Sequence, residues 1–269
     1  MTSTPNFQEK AVKVLITGYR GFIGSHLKEL LPEANGIDLK DGNDILIFQH
    51  FDQYDYIFHL AAKRGVAEGE TDPKNYIMTN CWGSLRVFNR AKPTCKIINI
   101  SSSSSEEAKS VYGATKKFVE LIARKFPNVI TVRPYNVFGE GQPLESGAVV
   151  PQFINSLLTR EVPVIYGSGE QKRDFTYVGD LVEYLKWLMF ECKDLEGEKD
   201  SNDIIHAGYG SSISVLELLE SIYGYLPERL HKDSRGFEII DSQSPMGIPI
   251  VYGRQDGLRR TIEWWLSKK

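Results

Sequence analysis

The stretch that decides the fold is Val12-Lys-Val-Leu-Ile-Thr17, continued by Gly18-Tyr-Arg-Gly21-Phe-Ile-Gly24. It begins as a short β-rich run, and apolar residues at helical spacing then run from Gly21 to Leu31. In such a strand–turn–helix unit, Gly18 permits the tight turn, Gly21 lets the backbone approach a pyrophosphate, and Gly24 lets helix and strand pack closely. The free amides and the dipole of the helix then receive phosphate groups, so the stretch predicts a dinucleotide site.

An acid at the end of the second predicted strand indicates which dinucleotide binds. Asp38 lies in the run Ala34–Leu39, twenty residues after Gly18. A carboxylate in this place accepts hydrogen bonds from the ribose hydroxyls of NAD and repels the 2′-phosphate of NADP. We therefore expect NAD as the cofactor.

Strands and helices alternate over the rest of the first half. Further strands are predicted at Tyr56–Ala62, Lys96–Ile100 and Val129–Arg133, and helices at Asn75–Ala91 and Tyr112–Lys125. This alternation predicts an α/β fold with a doubly wound parallel sheet of the Rossmann type.

The regular alternation of predicted strands and helices ends after about Asn136, where prolines and glycines divide the chain into shorter segments. The helices predicted there are Gln152–Thr159, Asp180–Cys192, Ser214–Tyr225 and Leu258–Ser267. We expect an NAD-binding domain over residues 11–140, with further core elements around 174–210. Residues 141–173 and 211–267 are expected to form a small C-terminal α/β cap that binds the substrate at the carboxyl ends of the strands.

Tyr112 and Lys116 stand one helical turn apart, so both side chains project from one face of their predicted helix. A free tyrosine has a pKa of about 10, and a nearby ammonium group lowers it toward the range in which the phenol acts as a base. The serine run Ser101–Ser105 follows a predicted strand end, where a hydroxyl can bind the same substrate oxygen. Simple pairing of Tyr112 and Lys116 on a helix surface is the alternative interpretation.

The composition argues against several classes of function. A net charge of −3 gives no reason to expect nucleic acid or an anionic membrane as a partner. Cys81, Cys95 and Cys192 show no spacing of a disulfide framework or a zinc site, and the five histidines show none of a metal site. His59 lies in an apolar run and is expected to be a hydrogen-bonded core residue. Because Met1–Lys10 lacks a signal-peptide core and no apolar run approaches the roughly 20 residues that span a bilayer, we expect a soluble cytoplasmic protein.

Together these motifs resemble those of the extended short-chain dehydrogenase/reductase family, which includes the nucleotide-sugar epimerases and dehydratases. The resemblance runs from Val12 to about Trp265. It rests on Thr17–Gly24, Asp38, Asp44-Ile45, His59–Ala62, Asn80, Ser101–Ser103, Tyr112–Lys116, Arg133–Gly139, Tyr166–Asp180 and Gly257–Trp264. It implies an NAD-dependent enzyme, similar to UDP-glucose 4-epimerases, that acts on a sugar linked to a nucleoside diphosphate.

The resemblance implies a role for each matching residue. Tyr112 would be the acid/base, Lys116 would bind the nicotinamide ribose and lower the pKa of Tyr112, and Ser102 would polarise the sugar oxygen. Ser103 is the alternative to Ser102, because the run of serines can be aligned with the family motif in two ways that differ by one residue. With Tyr112 and Lys116, the residues that would hold NAD are Gly18, Gly21, Phe22, Ile23, Gly24, Asp38, Asp44, Ile45, Leu60, Ala61, Ala62 and Asn80.

Asn136 and Arg173 would hold the nucleotide diphosphate of the substrate. The guanidinium of Arg173 offers a two-pronged donor that suits a diphosphate. A salt bridge from Arg173 to Asp174 or Asp180 is the alternative for this side chain.

Departures from the family pattern bear on the reaction. Family dehydratases follow the active serine with an acidic pair, but Ser103 and Ser104 stand in those positions. Fucose-synthase-like relatives need a cysteine and a histidine where this chain has Ser103 and Ala148. These differences favour C4 epimerisation through a transient 4-keto sugar. The alternatives are an NAD(P)H-dependent 4-ketoreductase of a keto-deoxy sugar, a 4,6-dehydratase and a non-catalytic cofactor-sensing protein.

Two further features come from the comparison with the family. Arg20 stands where NADP-using relatives contact the 2′-phosphate, which conflicts with Asp38. The helices at Asn75–Ala91 and Tyr112–Lys125 correspond to those that form a four-helix dimer interface in relatives, so we expect a homodimer. Its apolar contacts would come from Leu85, Val87, Phe118, Leu121 and Ile122, although some of these must face the sheet.

Overall fold

A parallel sheet forms the centre of the protein. The computed structural model describes residues 12–190, 204–227 and 250–268. The strands are β1 (Val14–Thr17), β2 (Asn35–Ile37), β3 (Tyr56–His59), β4 (Lys96–Ile100), β5 (Val129–Pro134), β6 (Lys172–Arg173), β7 (Ile204–Ala207) and β8 (Ile213–Ser214). Six of them form one sheet in the order β2-β1-β3-β4-β5-β7, with every neighbouring pair parallel. This confirms the predicted doubly wound α/β fold.

Helices cover both faces of the sheet. They are α1 (Phe22–Leu30), α2 (Val66–Thr71), α3 (Pro73–Tyr76), α4 (Ser84–Arg90), α5 (Val111–Ala123), α6 (Val149–Thr159), α7 (Val178–Phe190), α8 (Val215–Tyr225) and α9 (Gly253–Ser267). Successive strand residues face opposite sides, so Ile16 and Ile98 join a buried cluster with α1 and α7, whereas Leu15 and Ile97 join one with α4 and α5.

The helix predicted at Asn75–Ala91 is not continuous. Its middle, Ile77–Gly83, is a π-helical segment between α3 and α4. Within this segment the Asn80 carbonyl accepts a hydrogen bond of 2.6 Å from the Ser84 hydroxyl, while the Asn80 side chain binds the loop after β3. A π-helical segment of seven residues is too short to change the apolar spacing of the whole stretch, so the sequence pattern did not reveal this change of winding.

The glycine turn after β1 brings two backbones into close contact. Gly18 has a φ of +72°, and a Cβ built on it would lie 2.8 Å from the Ala61 backbone. A Cβ on Gly24 would lie 2.2 Å from the Gly18 carbonyl oxygen. Only glycine therefore lets α1 begin directly above the carboxyl end of β1. This is also where the strand order reverses, between β2 on one side of β1 and β3 on the other, and ligands of such sheets bind at that point.

The C-terminal part adds a small two-stranded sheet, in which β6 pairs antiparallel with β8, and the helices α6, α8 and α9. The apolar residues that are described in this part do not form a core of their own. Phe153, Leu218 and Ile262 belong to the same buried cluster as Ile16 of the main sheet. The predicted division into an NAD-binding domain and a cap therefore stays a prediction.

Gly24 and Gly224 give a matched pair of helical Gly→Ala substitutions. Gly24→Ala should destabilise the protein by about 1–3 kcal/mol, because the Gly18 backbone must move to admit the new methyl group. Gly224→Ala should be neutral or stabilising by up to about 1 kcal/mol, because nothing lies within 4 Å of the added atom and alanine favours helix. Urea denaturation measures both, and equal free energies of unfolding for the two variants would contradict the account of the turn.

Candidate active site

A cleft of about 800 Å³ opens at the carboxyl ends of β1 to β5. All of the residues predicted to bind cofactor or substrate line it, except Asn80 and Arg173. One end lies beside Asp38 and the glycine turn, and the other end lies beside the serine run and the first turn of α5. We call the second the catalytic end, defined by Ser102, Tyr112 and Lys116.

The other end has the features of a dinucleotide site. The α1 helix starts at Phe22, so the amides of its first turn are free to bind a phosphate. The two carboxylate oxygens of Asp38 accept hydrogen bonds from the amides of Arg20 (3.0 Å) and Lys40 (2.9 Å), which fix the carboxylate at the end of β2. The Arg20 guanidinium is paired with Asp41. The residues present therefore fit NAD. Arg20, whose position in the family would favour NADP, is already paired with Asp41.

Tyr112 and Ser102 meet at the catalytic end. Tyr112 lies in the first turn of α5, and Ser102 precedes a short turn, Ser103–Ser105, that follows β4. Burial raises the pKa of Tyr112, whereas hydrogen bonding with the Ser102 hydroxyl and the charge of Arg64 lower it. The structure thus brings together the phenol and the hydroxyl that the sequence predicted, and Ser102 is the serine next to the phenol.

Lys116 lies beneath the same end of the cleft and is buried. Its ammonium group donates a hydrogen bond of 2.8 Å to the Ile100 carbonyl oxygen at the end of β4. Burial lowers the pKa of Lys116 to about 8, and the charge of Glu120 opposes this shift. The sequence predicted that Lys116 lowers the pKa of Tyr112. The groups that do so here are Ser102 and Arg64.

Two other predicted residues are structural. His59 is buried and forms hydrogen bonds of 2.9 Å to the hydroxyls of Thr17 and Ser84, which confirms it as a core residue. Burial and the charge of Lys116 lower the pKa of His59 to about 3, so it is neutral. Asn80 does not line the cleft. Its side chain accepts from the amide of Lys63 and donates to its carbonyl, and so holds the loop that follows β3.

Of the two residues predicted to bind the diphosphate, Asn136 lines the cleft and Arg173 does not. Asn136 lines the cleft just after β5, with a φ of +32°, and its side chain donates to the Asp174 carbonyl oxygen at 2.9 Å. Arg173 is exposed in β6 outside the cleft, where its guanidinium donates to the Lys172 carbonyl. The alternative salt bridges of Arg173 are not formed either, because Asp174 pairs with Arg254 and Asp180 binds the backbone before α9.

A buried network that the sequence analysis missed holds the catalytic end in place. Glu120 is only 1% exposed and lies one turn after Lys116 on α5. Its carboxylate accepts hydrogen bonds from the hydroxyls of Ser101 (2.7 Å) and Ser105 (2.6 Å), and from two nitrogens of Arg133 (2.9 and 3.0 Å). The signals for it were an arginine inside the apolar strand β5 and an acid four residues after Lys116.

Among the described residues, no helix is long and apolar enough to cross a membrane, and no group of three or more His, Cys, Asp or Glu side chains could hold a metal ion. Cys81 and Cys95 are free and buried. Cys192, His231 and the segment Met1–Lys10 lie outside the described residues.

A model of the NAD-dependent epimerase/dehydratase family matches residues 14–202. The chain belongs to this family. This confirms the resemblance found in the sequence, the prediction of an enzyme and the prediction of NAD as its cofactor. The cleft described above is therefore the candidate active site of an NAD-dependent enzyme.

The names of individual relatives of this chain state several different activities. A putative UDP-glucose 4-epimerase of Methanocaldococcus jannaschii is 25% identical over an alignment of 307 positions that covers 93% of this chain and 97% of the relative. A UDP-N-acetyl-α-D-glucosaminuronate decarboxylase of Bacillus cytotoxicus is 28% identical over 325 positions, covering 94% and 97%. The structure of a UDP-N-acetylglucosamine 4-epimerase from Methanobrevibacter ruminantium M1 superimposes with a TM-score of 0.75 at 28% identity, covering 97% of this chain and all of the other.

The position of Asp38 leads to a prediction about cofactor choice. Asp38→Ala should weaken NAD binding about tenfold or more, because a ribose hydroxyl loses a charged acceptor. The same variant should reduce the ratio by which the protein prefers NAD to NADP. Asp41→Ala is the companion variant, since it frees Arg20 to meet a 2′-phosphate and should improve NADP binding only. Calorimetry measures each affinity. Tighter binding of NADP than of NAD by the unaltered protein would overturn this interpretation.

The Glu120 network leads to a prediction about stability. Glu120→Gln should lower the free energy of unfolding by about 3–5 kcal/mol at pH 7, because it removes the buried counter-charge of Arg133 and leaves this guanidinium only the half-exposed carboxylate of Glu106. Glu183→Gln is the matched control. Its carboxylate makes a partly exposed ion pair with Lys186 at 3.8 Å, so its loss should cost less than about 1 kcal/mol.

The same network determines how the stability of the protein changes with pH. Burial raises the pKa of Glu120, but hydrogen bonds from Arg133, Ser105 and Ser101 outweigh it and leave the pKa below its usual value. A carboxylate with a lowered pKa contributes stability that is fully present above its unfolded pKa, near 4.3, and is lost as the pH falls through the folded value. Urea denaturation should therefore show the gap between wild type and Glu120→Gln shrinking below about pH 4. A gap that widens in acid would contradict this account.

Proposed function

We propose that the protein is a C4 epimerase of a sugar linked to UDP, which acts through a transient 4-keto sugar. The observation that carries the proposal is the juxtaposition of Tyr112, Ser102 and the buried Lys116 at one end of a cleft that fits NAD at the other. The UDP moiety is supported by the names of the relatives, among which 4-epimerases recur.

The residues at the catalytic end would divide the chemistry as follows. When bound, NAD supplies the group that takes up and returns a hydride. Tyr112 removes the proton of the C4 hydroxyl and later returns it, and Ser102 orients the same oxygen through its hydroxyl. Lys116 would bind the nicotinamide ribose, and burial lowers the pKa of its ammonium group to about 8. We propose that Asn136, which lines the cleft, contacts the diphosphate of the substrate. We propose the same role for Arg173, although its side chain lies outside the cleft.

The lining of the catalytic end bears on the alternative reactions. Dehydration of the sugar needs an acidic group beside the active serine, and the positions there are filled by Ser103 and Ser104. The nearest acid of the serine segment, Glu106, is paired with Arg133 at 3.2 Å and accepts a hydrogen bond from the Tyr135 hydroxyl. Both contacts keep it out of the cleft lining, so epimerisation is favoured over dehydration. A 4-ketoreductase would use the same three side chains, and none of the described residues of the site distinguishes it from an epimerase.

We further propose a homodimer. The π-helical segment and α5 present exposed apolar side chains: Ile77, Met78, Trp82, Phe118 and Leu121. Phe118 and Leu121 belong to the set predicted from the sequence, whereas Val87 is buried, Ile122 packs on the core and Leu85 is half-buried. An exposed apolar face of this kind is typical of an interface.

The cytoplasm is the proposed location. It is supported by Cys81 and Cys95, which are free buried thiols of the kind that reducing compartments maintain.

The mechanism is tested by substitutions at the catalytic end. Tyr112→Phe should lower turnover about 10²–10⁴-fold, the usual share of a general acid–base group, with NAD binding nearly unchanged. Ser102→Ala should slow the reaction, and Ser103→Ala, its matched control, should slow it less. Lys116→Met should lower both turnover and NAD affinity. Interconversion of UDP-glucose and UDP-galactose, and of the corresponding hexuronates, provides the assays; near-normal turnover by Tyr112→Phe would refute the mechanism.

A further inference from the structure

The cations among the described residues that line the cleft differ in how they are neutralised: they are Arg20, Lys40, Lys63, Arg64 and Lys116. Lys40 lies at the Asp38 end and donates to the Arg20 carbonyl, and Lys116 is buried near Glu120. Arg20 is paired with Asp41, and Lys63 is paired with Glu68 (3.7 Å) and Asp72 (3.9 Å). Arg64, the residue after Lys63, is exposed and forms no ion pair with any residue that the structure describes. It lies at the catalytic end, where its charge reaches the Tyr112 phenol.

The position of Arg64 is fixed relative to Tyr112. The hydroxyl of the fully buried Tyr76 donates a hydrogen bond to the Arg64 carbonyl oxygen. The ring of Tyr76 also meets the ring of Tyr112 edge to face, with centroids 6.5 Å apart and an interplanar angle of 89°. One buried side chain therefore contacts both the Arg64 backbone and the Tyr112 ring. Arg64 also lines the cleft, so its guanidinium is part of the site.

Among the residues that the structure describes, no acid lines this end of the cleft. Two acids lie near it but have partners: Glu68 pairs with Lys63, and the Glu70 carboxylate accepts a hydrogen bond of 2.8 Å from the Val111 amide. The carboxylates among the described lining residues are Asp38 and Asp44, and both follow β2 at the opposite end. An arginine that faces a cavity without a counter-charge is suited to bind an anion, and its planar fork matches a carboxylate in particular.

We infer that Arg64 binds a carboxylate on the sugar ring, so that the preferred substrate is a nucleotide-linked hexuronate. The inference rests on the proposed function, which puts the C4 hydroxyl at Tyr112. In a pyranose ring C1 and C4 are opposite each other, so the diphosphate on C1 points away from Tyr112. The substituent next to C4 that can carry a negative charge is the C6 carboxylate, which is attached to C5. A neutral hexose has a hydroxymethyl group in that place.

The test compares the binding of three probes to NAD-loaded protein: UDP-glucuronate, UDP-glucose and UDP. Calorimetry is performed in a Tyr112→Phe background, so that affinity is measured without turnover. UDP-glucuronate should bind at least about tenfold more tightly than UDP-glucose, as expected for a charged hydrogen bond. Arg64→Gln should abolish this difference and leave the affinities for UDP-glucose and UDP within about threefold. Arg64→Lys should keep part of it.

The control removes a neighbouring charge that already has partners. Lys63→Gln should leave the ratio of the UDP-glucuronate and UDP-glucose affinities unchanged, because Glu68 and Asp72 neutralise that cation. Equal weakening of all three probes by Arg64→Gln would assign Arg64 to the diphosphate, and weaker NAD binding would assign it to the cofactor. Either result, or a wild-type preference for UDP-glucose, would overturn the inference while leaving the proposed epimerase intact. Failure of both sugar nucleotides to bind would instead count first against the proposed function.

Discussion

The carboxylate of Glu120 connects the parts of the molecule on which the candidate site depends. It is buried on α5 and binds the guanidinium of Arg133 on β5 and the hydroxyls of Ser101 and Ser105 at the end of β4. Two neighbouring strands and the helix beside them are thereby joined at one point. Because Ser102 lies between the two bound serines, and Tyr112 and Lys116 lie on the same helix as Glu120, this one anion sets the distance between the hydroxyl, the phenol and the ammonium group.

The same anion makes a buried lysine tolerable. Burial alone lowers the pKa of Lys116, and the negative charge of Glu120 one turn away raises it part of the way back. The hydrogen bond to the Ile100 carbonyl satisfies the ammonium group inside the protein. The site thus keeps a cation below a phenol in a region with little water, where electrostatic interactions are stronger than at the surface.

Much of the fold was predictable from the sequence because strong local signals agreed with one another. The glycines of the first turn, the acid at Asp38 and the alternation of strands with helices all indicated one architecture, and the close contacts of Gly18 and Gly24 explain why those glycines are required. The same signals placed nearly every predicted site residue in one cleft. Motifs whose residues are adjacent in sequence and share a strand end or a helix turn carry this kind of information reliably.

What the sequence could not reveal depends on side chains that meet across long separations. Glu120 and Arg133 are ordinary charged residues until the fold brings them together, and the π-helical winding after α3 has no distinct apolar pattern. Arg173 shows the converse. Its motif is intact, but the backbone places the guanidinium outside the cleft. Arg64 was overlooked because the distinction between a paired and an unpaired cation exists only in three dimensions.

The central claim is that a hydride leaves C4 of the sugar and returns to C4 within the same protein. The most direct test supplies NAD-loaded enzyme with UDP-glucose or UDP-glucuronate that carries deuterium at C4, in ordinary water, and analyses the sugars by mass spectrometry and NMR. The account predicts two C4 epimers that both retain the deuterium at C4, with no net change in NAD. Loss of the label to solvent, or a product that forms only as NADH is consumed, would contradict it.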